Sequence, residues 1–356
     1  MKKRLKVFAL CLIFCMILSG CNGWMDGEYA SVTPNRSRNE SLSGDVVVVG
    51  NYQQMSNALT EMVEDGTQEM VLYTNGLSSS QSDHYMKEAI NNVCLMNPIG
   101  AYAVKEINYD IGANMGKQAI AVNISYNHNR SEILRVKQAK DMTDLQALVR
   151  VSLENCSSGL VVLVENYQAR DLVQFVEDHV NSNPQTCMEM PQVAVSVFPE
   201  LGSSRIIEII FTYQNSRETL RAMQESVSDI FKSAHFYINP SADNNEKYSQ
   251  LYSFLMERYD YTLETSITPA YSLLRHGVGD SKAFATVYAA ICRQAGLNCQ
   301  VVSGTKAGEA WHWNVLENNG INYHLDLLEC NLTGTFSVKT EAEMTGYVWD
   351  YSAFED

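Results

Sequence analysis

Gly279-Asp280-Ser281-Lys282-Ala283-Phe284-Ala285 is the stretch on which the fold turns. Glycine and aspartate end a loop, and from Ser281 onward apolar side chains recur at helical spacing: Phe284, Val287, Tyr288, Ile291, Cys292 and Ala295. That spacing predicts a helix buried along one face and ended by Gly296. Upstream, Leu251, Phe254, Leu255 and Tyr259 lie on one stripe of a helix expected over 248–261, and a loop with Pro269 leads to Ala270-Tyr271-Ser272-Leu273-Leu274. Downstream, 298–303 reads as a strand. Two more strands, 311–317 and 321–327, are joined by Asn318-Asn319-Gly320, a good hairpin turn. The expectation is one long helix packed on an antiparallel sheet.

Five ordered runs then resemble the transglutaminase-like core. They are Ala270-Tyr271-Ser272-Leu273-Leu274, the Gly279–Ala285 stretch, Gly296-Leu297-Asn298-Cys299-Gln300-Val301-Val302-Ser303-Gly304, Trp311-His312-Trp313-Asn314, and Gly320-Ile321-Asn322-Tyr323-His324-Leu325-Asp326. The resemblance covers roughly residues 245–335, in a domain expected over 245–356. It implies a papain-type fold in which a cysteine opens the helix while histidine and aspartate sit on following strands. A thiol at a helix N-terminus is acidified by unpaired N–H groups and the helix dipole. Histidine completes thiolate formation, and aspartate holds the imidazole's orientation and tautomer. The thiolate attacks an amide or ester carbonyl, and water or an amine resolves the acyl-enzyme.

The chain departs from this pattern at two of the three family positions. Ser281 stands for the cysteine and Trp311 for the histidine; only Asp326 is kept. An alcohol is not usefully ionised by a helix dipole and needs a placed base more than a thiol does. Loss of one triad member costs roughly 10⁴ to 10⁶ in rate. Two histidines remain as alternative bases. His312 is expected on the opposite strand face from Trp311 unless a bulge intervenes, whereas His324 shares the face of Asp326. His276 reads as a loop residue. Trp311 and Trp313 share a strand face and read either as core packing or as an aromatic platform for a peptide or sugar.

At the other end of the chain, Lys2, Lys3, Arg4 and Lys6 precede an apolar run, Val7 to Leu18, which is closed by Leu18-Ser19-Gly20-Cys21. This is the layout of a secretory signal over 1–20, and it resembles the bacterial lipoprotein signal. That resemblance implies cleavage before Cys21, acylation (palmitate among the chains) of its thiol, and anchoring at the extracytoplasmic face of the bacterial cell membrane. The run is too short to span a bilayer as a helix, and two acyl chains give stable attachment. Residues 21–44, rich in Asn, Gly, Ser and Arg, read as a flexible tether.

Without residues 1–20 the chain keeps 22 basic and 41 acidic side chains, a formal charge near −19. Nucleic acid and anionic lipid headgroups are excluded as partners on that balance. Six cysteines remain after Cys21: Cys94, Cys156, Cys187, Cys292, Cys299 and Cys330. Export permits disulfides, but the spacing selects no pairing. Neither a metal site nor a cofactor is indicated.

Residues 45–240 carry an internal duplication, about 52–140 and 141–232. Ile124-Ser125-Tyr126-Asn127-His128-Asn129-Arg130-Ser131-Glu132-Ile133-Leu134-Arg135 returns as Phe211-Thr212-Tyr213-Gln214-Asn215-Ser216-Arg217-Glu218-Thr219-Leu220-Arg221. In the second copy, helices are expected over 144–153, 169–181 and 216–231 and strands over 160–165, 192–197 and 205–213. The fold class expected is α+β, a tandem pair of α/β repeats followed by a papain-like transglutaminase core. The leading functional expectation is a lipid-anchored surface protein whose transglutaminase-like domain is catalytically degenerate and acts in binding or assembly, with cell-wall peptide or an extracellular protein as partner. The alternative is a serine-dependent acyl hydrolase or transferase on peptide or protein amides, using Ser281, His312 or His324, and Asp326. A third reading places the function in the repeats and makes the C-terminal domain a scaffold.

Overall fold

A computed structural model describes residues 47–350. The signal, Cys21 and the tether lie outside the described residues. The chain is α+β, with helices and strands segregated into packed layers around several sheets.

The first unit opens on strand β1 (Val47–Val49), then helix α1 (Tyr52–Glu64), β2 (Glu69–Thr74), α2 (Ser79–Leu95), α3 (Pro98–Ala103), β3 (Val104–Asn114), β4 (Lys117–Tyr126) and α4 (Arg130–Leu134). The second runs β5 (Lys137–Asp141), α5 (Met142–Glu154), β6 (Gly159–Asn166), α6 (Leu172–Ser182), β7 (Gln192–Phe198), β8 (Arg205–Thr212) and α7 (Arg217–Ser233). Their two four-stranded sheets have the same plan, β1-β2-β4-β3 and β5-β6-β8-β7. In each, the first pair is parallel and the other two are antiparallel. Each unit therefore begins with a strand, at Val47 and at Lys137. β5 escapes periodicity because only Ala139 of its five residues is buried.

Local chemistry sets the helix starts. Asn51, Ser78, Asn129, Asp141, Asp171 and Ser216 each accept a backbone N–H from the first turn of the following helix, which satisfies donors that the helix itself leaves unpaired. One apolar cluster lies under each sheet. A third joins the units, where Tyr102 and Ala103 of α3 pack on Ile206 of the second sheet.

The C-terminal domain comprises α8 (Asn244–Met256), a two-stranded pair β9 (Asp260–Tyr261) and β10 (Val278–Gly279), α9 (Ser281–Gln294), β11 (Cys299–Lys306), β12 (Glu309–Asn318), β13 (Ile321–Leu325), α10 (Leu327–Thr333) and β14 (Tyr347–Trp349). The helix expected over 248–261 ends at Met256, and Asp260 and Tyr261 pair with Val278 and Gly279 instead. The main sheet has the order β13-β12-β11-β14 and is antiparallel throughout. Helix α9 lies on one of its faces, with Phe284, Val287, Tyr288, Ile291 and Cys292 all buried. The largest apolar cluster continues from α9 and α8 into Leu220, Val227 and Phe231 of α7. The second unit and the C-terminal domain thus share one core. The opposite face of the sheet carries a smaller aromatic cluster of Val302, Trp313, Val315, Tyr347 and Trp349.

Candidate functional site

Asp280 caps α9 by accepting the Ala283 N–H at 2.9 Å, so Ser281 is its first helical residue and is only 7% exposed. Strand β12 runs past it, and the His312 backbone N–H donates to Ser281 Oγ at 3.3 Å. The β11–β12 register is continuous from Cys299–Leu316 to Lys306–Glu309, with no bulge at Trp311–Asn314. Alternation therefore governs the side chains. Asn314 faces α9, donating Nδ2–H to the Ala285 carbonyl, and His312 lies on that same face, beside Lys282 and Thr286. Trp313 points into the aromatic cluster on the other face, and Trp311 shares its parity.

On that other face the kept aspartate is fully engaged. Trp311 Nε1–H donates to Asp326 Oδ2 at 2.9 Å. The Lys306 ammonium reaches the same oxygen at 2.7 Å and the Tyr347 hydroxyl at 2.6 Å. Oδ1 accepts the Leu328 and Glu329 N–H groups, both at 3.1 Å, and so caps α10. Asp326 is 5% exposed. Glu329 extends the network, taking Lys339 at 2.6 Å and lying 2.5 Å from the Tyr347 hydroxyl. The Lys306 ammonium also stands 5.2 Å from the Trp311 ring centre and 5.1 Å from that of Tyr347, within cation–π range. Lys306, Tyr347, Glu329 and Lys339 were not found from the sequence.

The two alternative bases are held elsewhere. The His312 imidazole is bonded to no partner among the described residues. Burial and the nearby Lys282 ammonium push it below the usual imidazole range, against a smaller opposing pull from Asp280. His324 is buried, and its Nδ1 accepts Trp313 Nε1–H at 3.0 Å, so its remaining proton sits on Nε2. Burial lowers its pKa, with Glu341 opposing. Among the described residues the partner of Ser281 Oγ is a backbone amide, and no imidazole is bonded to it. His324 shares the face of Asp326, as alternation requires, but is spent on Trp313. The platform reading of Trp311 and Trp313 is corrected: Trp313 is fully buried and Trp311 is turned onto Asp326.

All six described cysteines are free. Burial raises each thiol whose pKa is shifted, Cys187 to about 12, which makes them inert rather than nucleophilic. No cluster of three or more metal-ligating side chains occurs among the described residues, and no described helix is long and apolar enough to cross a membrane.

Burial works against ionisation of Glu329, but hydrogen bonds from Lys339 and Tyr347 and the Lys306 charge outweigh it and bring its pKa down to about 2. A carboxylate depressed in the folded state contributes stability above its unfolded pKa and loses that contribution as pH falls through the folded value. The urea midpoint is therefore expected to fall as pH drops from about 5 towards 2. In Glu329→Gln the fall should be visibly shallower; an unchanged slope would remove Glu329 from the network's energetics.

Residues 233–349 match the family model of the transglutaminase-like superfamily, and the C-terminal part of the chain is a transglutaminase-like domain. Solved structures similar to the chain include a transglutaminase (12% identity, 84% of this chain and 83% of that one, TM-score 0.27). A putative cysteine protease from Cytophaga hutchinsonii matches at 12% identity over 44% of this chain and 70% of that one, with a TM-score of 0.27. A putative protease from Parabacteroides distasonis matches at 8% identity over 76% of this chain and 43% of that one, with a TM-score of 0.22. A search of curated proteins gave no match.

Proposed function

We propose that this protein is a lipid-anchored, extracytoplasmic binding or assembly module whose transglutaminase-like domain no longer performs acyl transfer. The observation that carries the reading is the Trp311–Asp326 hydrogen bond. In the family arrangement implied by the sequence, aspartate orients an imidazole that moves a proton. Here the same carboxylate orients an indole N–H, which donates but has no lone pair with which to accept a proton. The position that should hold the base is filled by a group that cannot be one. Ser281 adds to this, since an alcohol without a base is a poor nucleophile at neutral pH. The Ser-Gly-Cys closure at Cys21 supports attachment through N-terminal lipid. Cell-wall peptide or an extracellular protein fits that location as a partner, and the acidic balance disfavours nucleic acid.

Two assays test the reading. Peptide and ester substrates should show no turnover that disappears in Ser281→Ala; turnover lost in that variant would restore the serine-hydrolase alternative. Cells fed labelled palmitate should incorporate it into the wild-type chain and not into Cys21→Ala. Equal incorporation by both would remove the anchor.

A further inference from the structure

The helix-facing side of the C-terminal sheet, opposite Trp311 and Asp326, holds a groove that the network does not use. It lies between α6 of the second unit and α9, and it opens a polar cavity of about 420 Å³ lined by Asp178, Lys282, Arg293, Ser303 and His312, among others. A second cavity of about 270 Å³, with Met188, Met190, Ile267 and Pro269 in its wall, shares Asn181, Lys282 and Thr286 with the first. The two run together past Lys282. Combined they fall in the size range of ligand clefts.

Charge is the unusual feature. The chain carries a formal net charge of −15, yet the polar cavity has two permanent cations against one carboxylate, Asp178, and Glu189 in the wall of the second cavity is taken up by the Gln214 and Asn215 amides. The Lys282 ammonium makes no hydrogen bond or ion pair among the described residues. Arg293 donates to the Ser182 carbonyl and has no acidic partner among them. The Asp178 carboxylate is already engaged by the Gln174 amide at 2.9 Å. His312, held neutral by burial and by Lys282, adds an uncharged ring with a free donor and acceptor. Cations that face a partly enclosed cavity in excess of its carboxylates are stabilised by an anion placed there.

The spacing narrows the ligand. Lys282 and Arg293 are eleven residues apart on α9, about 16 Å at the helical rise. An extended peptide covers that distance in roughly five residues. Along the same groove runs β11, beyond its Gly304–Lys306 pairing with β14. Gln300, Val301 and Ser303 all line the cavity.

We propose that the groove between α6 and α9 binds an extended acidic peptide segment, with carboxylates paired to Lys282 at one end and Arg293 at the other. The site is separate from the Trp311–Asp326 face and holds whether or not Ser281 performs chemistry, so the two readings fail independently.

Fluorescein-labelled hexaglutamate, followed by anisotropy with the full chain, tests this. Binding is expected in low salt, weakening as ionic strength rises, and hexalysine should not bind. Lys282→Glu should weaken hexaglutamate at least tenfold. Asp178→Asn, which removes the one carboxylate among the described residues lining the polar cavity, should tighten binding severalfold, a gain that misfolding cannot imitate. No binding of hexaglutamate, equal binding of hexalysine, or unchanged affinity in both variants would overturn the proposal.

Discussion

The double variant Ser281→Cys, Trp311→His is expected to carry a reactive thiol that Ser281→Cys alone lacks. In the single variant the new thiol occupies the first residue of α9 beside the Asp280 cap, with an indole at 311 and no imidazole bonded to it. Burial of this position, 7% exposed, opposes the acidifying helix terminus, so its pKa should stay near the free value of about 8.5, leaving a few per cent thiolate at pH 7. Residue 312 touches residue 281 through its backbone, and Trp311 packs against the α9 cluster as well as the aromatic one, so position 311 is one step along the strand from the nucleophile. An imidazole at 311 can donate to Asp326 as the indole does and present its other nitrogen to the thiol. Lowering the thiol pKa to about 7 would raise the thiolate fraction roughly 15-fold. Iodoacetamide alkylation of residue 281 at pH 7, resolved by mass spectrometry, should accelerate by about that factor. The six described cysteines, five of them buried and one partly so, provide an internal background. Equal rates in the single and double variants would mean that position 311 does not address the nucleophile.

Asp326→Ala is expected to destabilise the domain by about 3–5 kcal/mol, the range for breaking a buried charged network by removing one partner. Three side chains from separate segments converge on one of its oxygens, those of Lys306, Trp311 and Tyr347. Its other oxygen caps α10, and losing a cap alone costs about 1 kcal/mol. Removal would also leave Tyr347 shared with Glu329 alone and the Trp311 N–H without its acceptor. Urea unfolding with Trp fluorescence reads the change as a lowered midpoint at constant slope. A loss under about 1 kcal/mol, the scale of a surface ion pair, would contradict the view that Asp326 has become structural. An aspartate kept only for catalysis would show that small value, because its removal disturbs chemistry rather than the fold.

The C-terminal domain was legible because its information is local. The α9 face, the Asn-Asn-Gly hairpin and the ordered motifs each sit within a dozen residues, and alternation along β12 separates Trp311 from His312 in the sequence alone. Ser281 and Trp311 stood out because they replace the residue types that give the family pattern its chemistry. The network around Asp326 was not legible. Lys306, Glu329, Lys339 and Tyr347 come from four segments with no shared periodicity, and a lysine at the end of a strand reads as an ordinary solvated charge. Strand β5, with Lys137, Gln138, Lys140 and Asp141 around one buried alanine, lacks apolar alternation because it lies at a sheet edge. The helix expected to reach Tyr261 ends early since Asp260 and Tyr261 bond across to Gly277 and the β10 strand, a long-range pairing that overrides local preference.

The central claim is that the Ser281 hydroxyl has lost its base. The most direct measurement exposes the native chain to a fluorophosphonate, which phosphorylates activated serines, and reads residue 281 by peptide mass spectrometry. With the His312 amide as its partner among the described residues, Ser281 should remain unmodified under conditions that saturate an ordinary serine hydrolase. Labelling of Ser281 in the wild type that is abolished by His312→Ala or His324→Ala would contradict the account and return the site to catalysis.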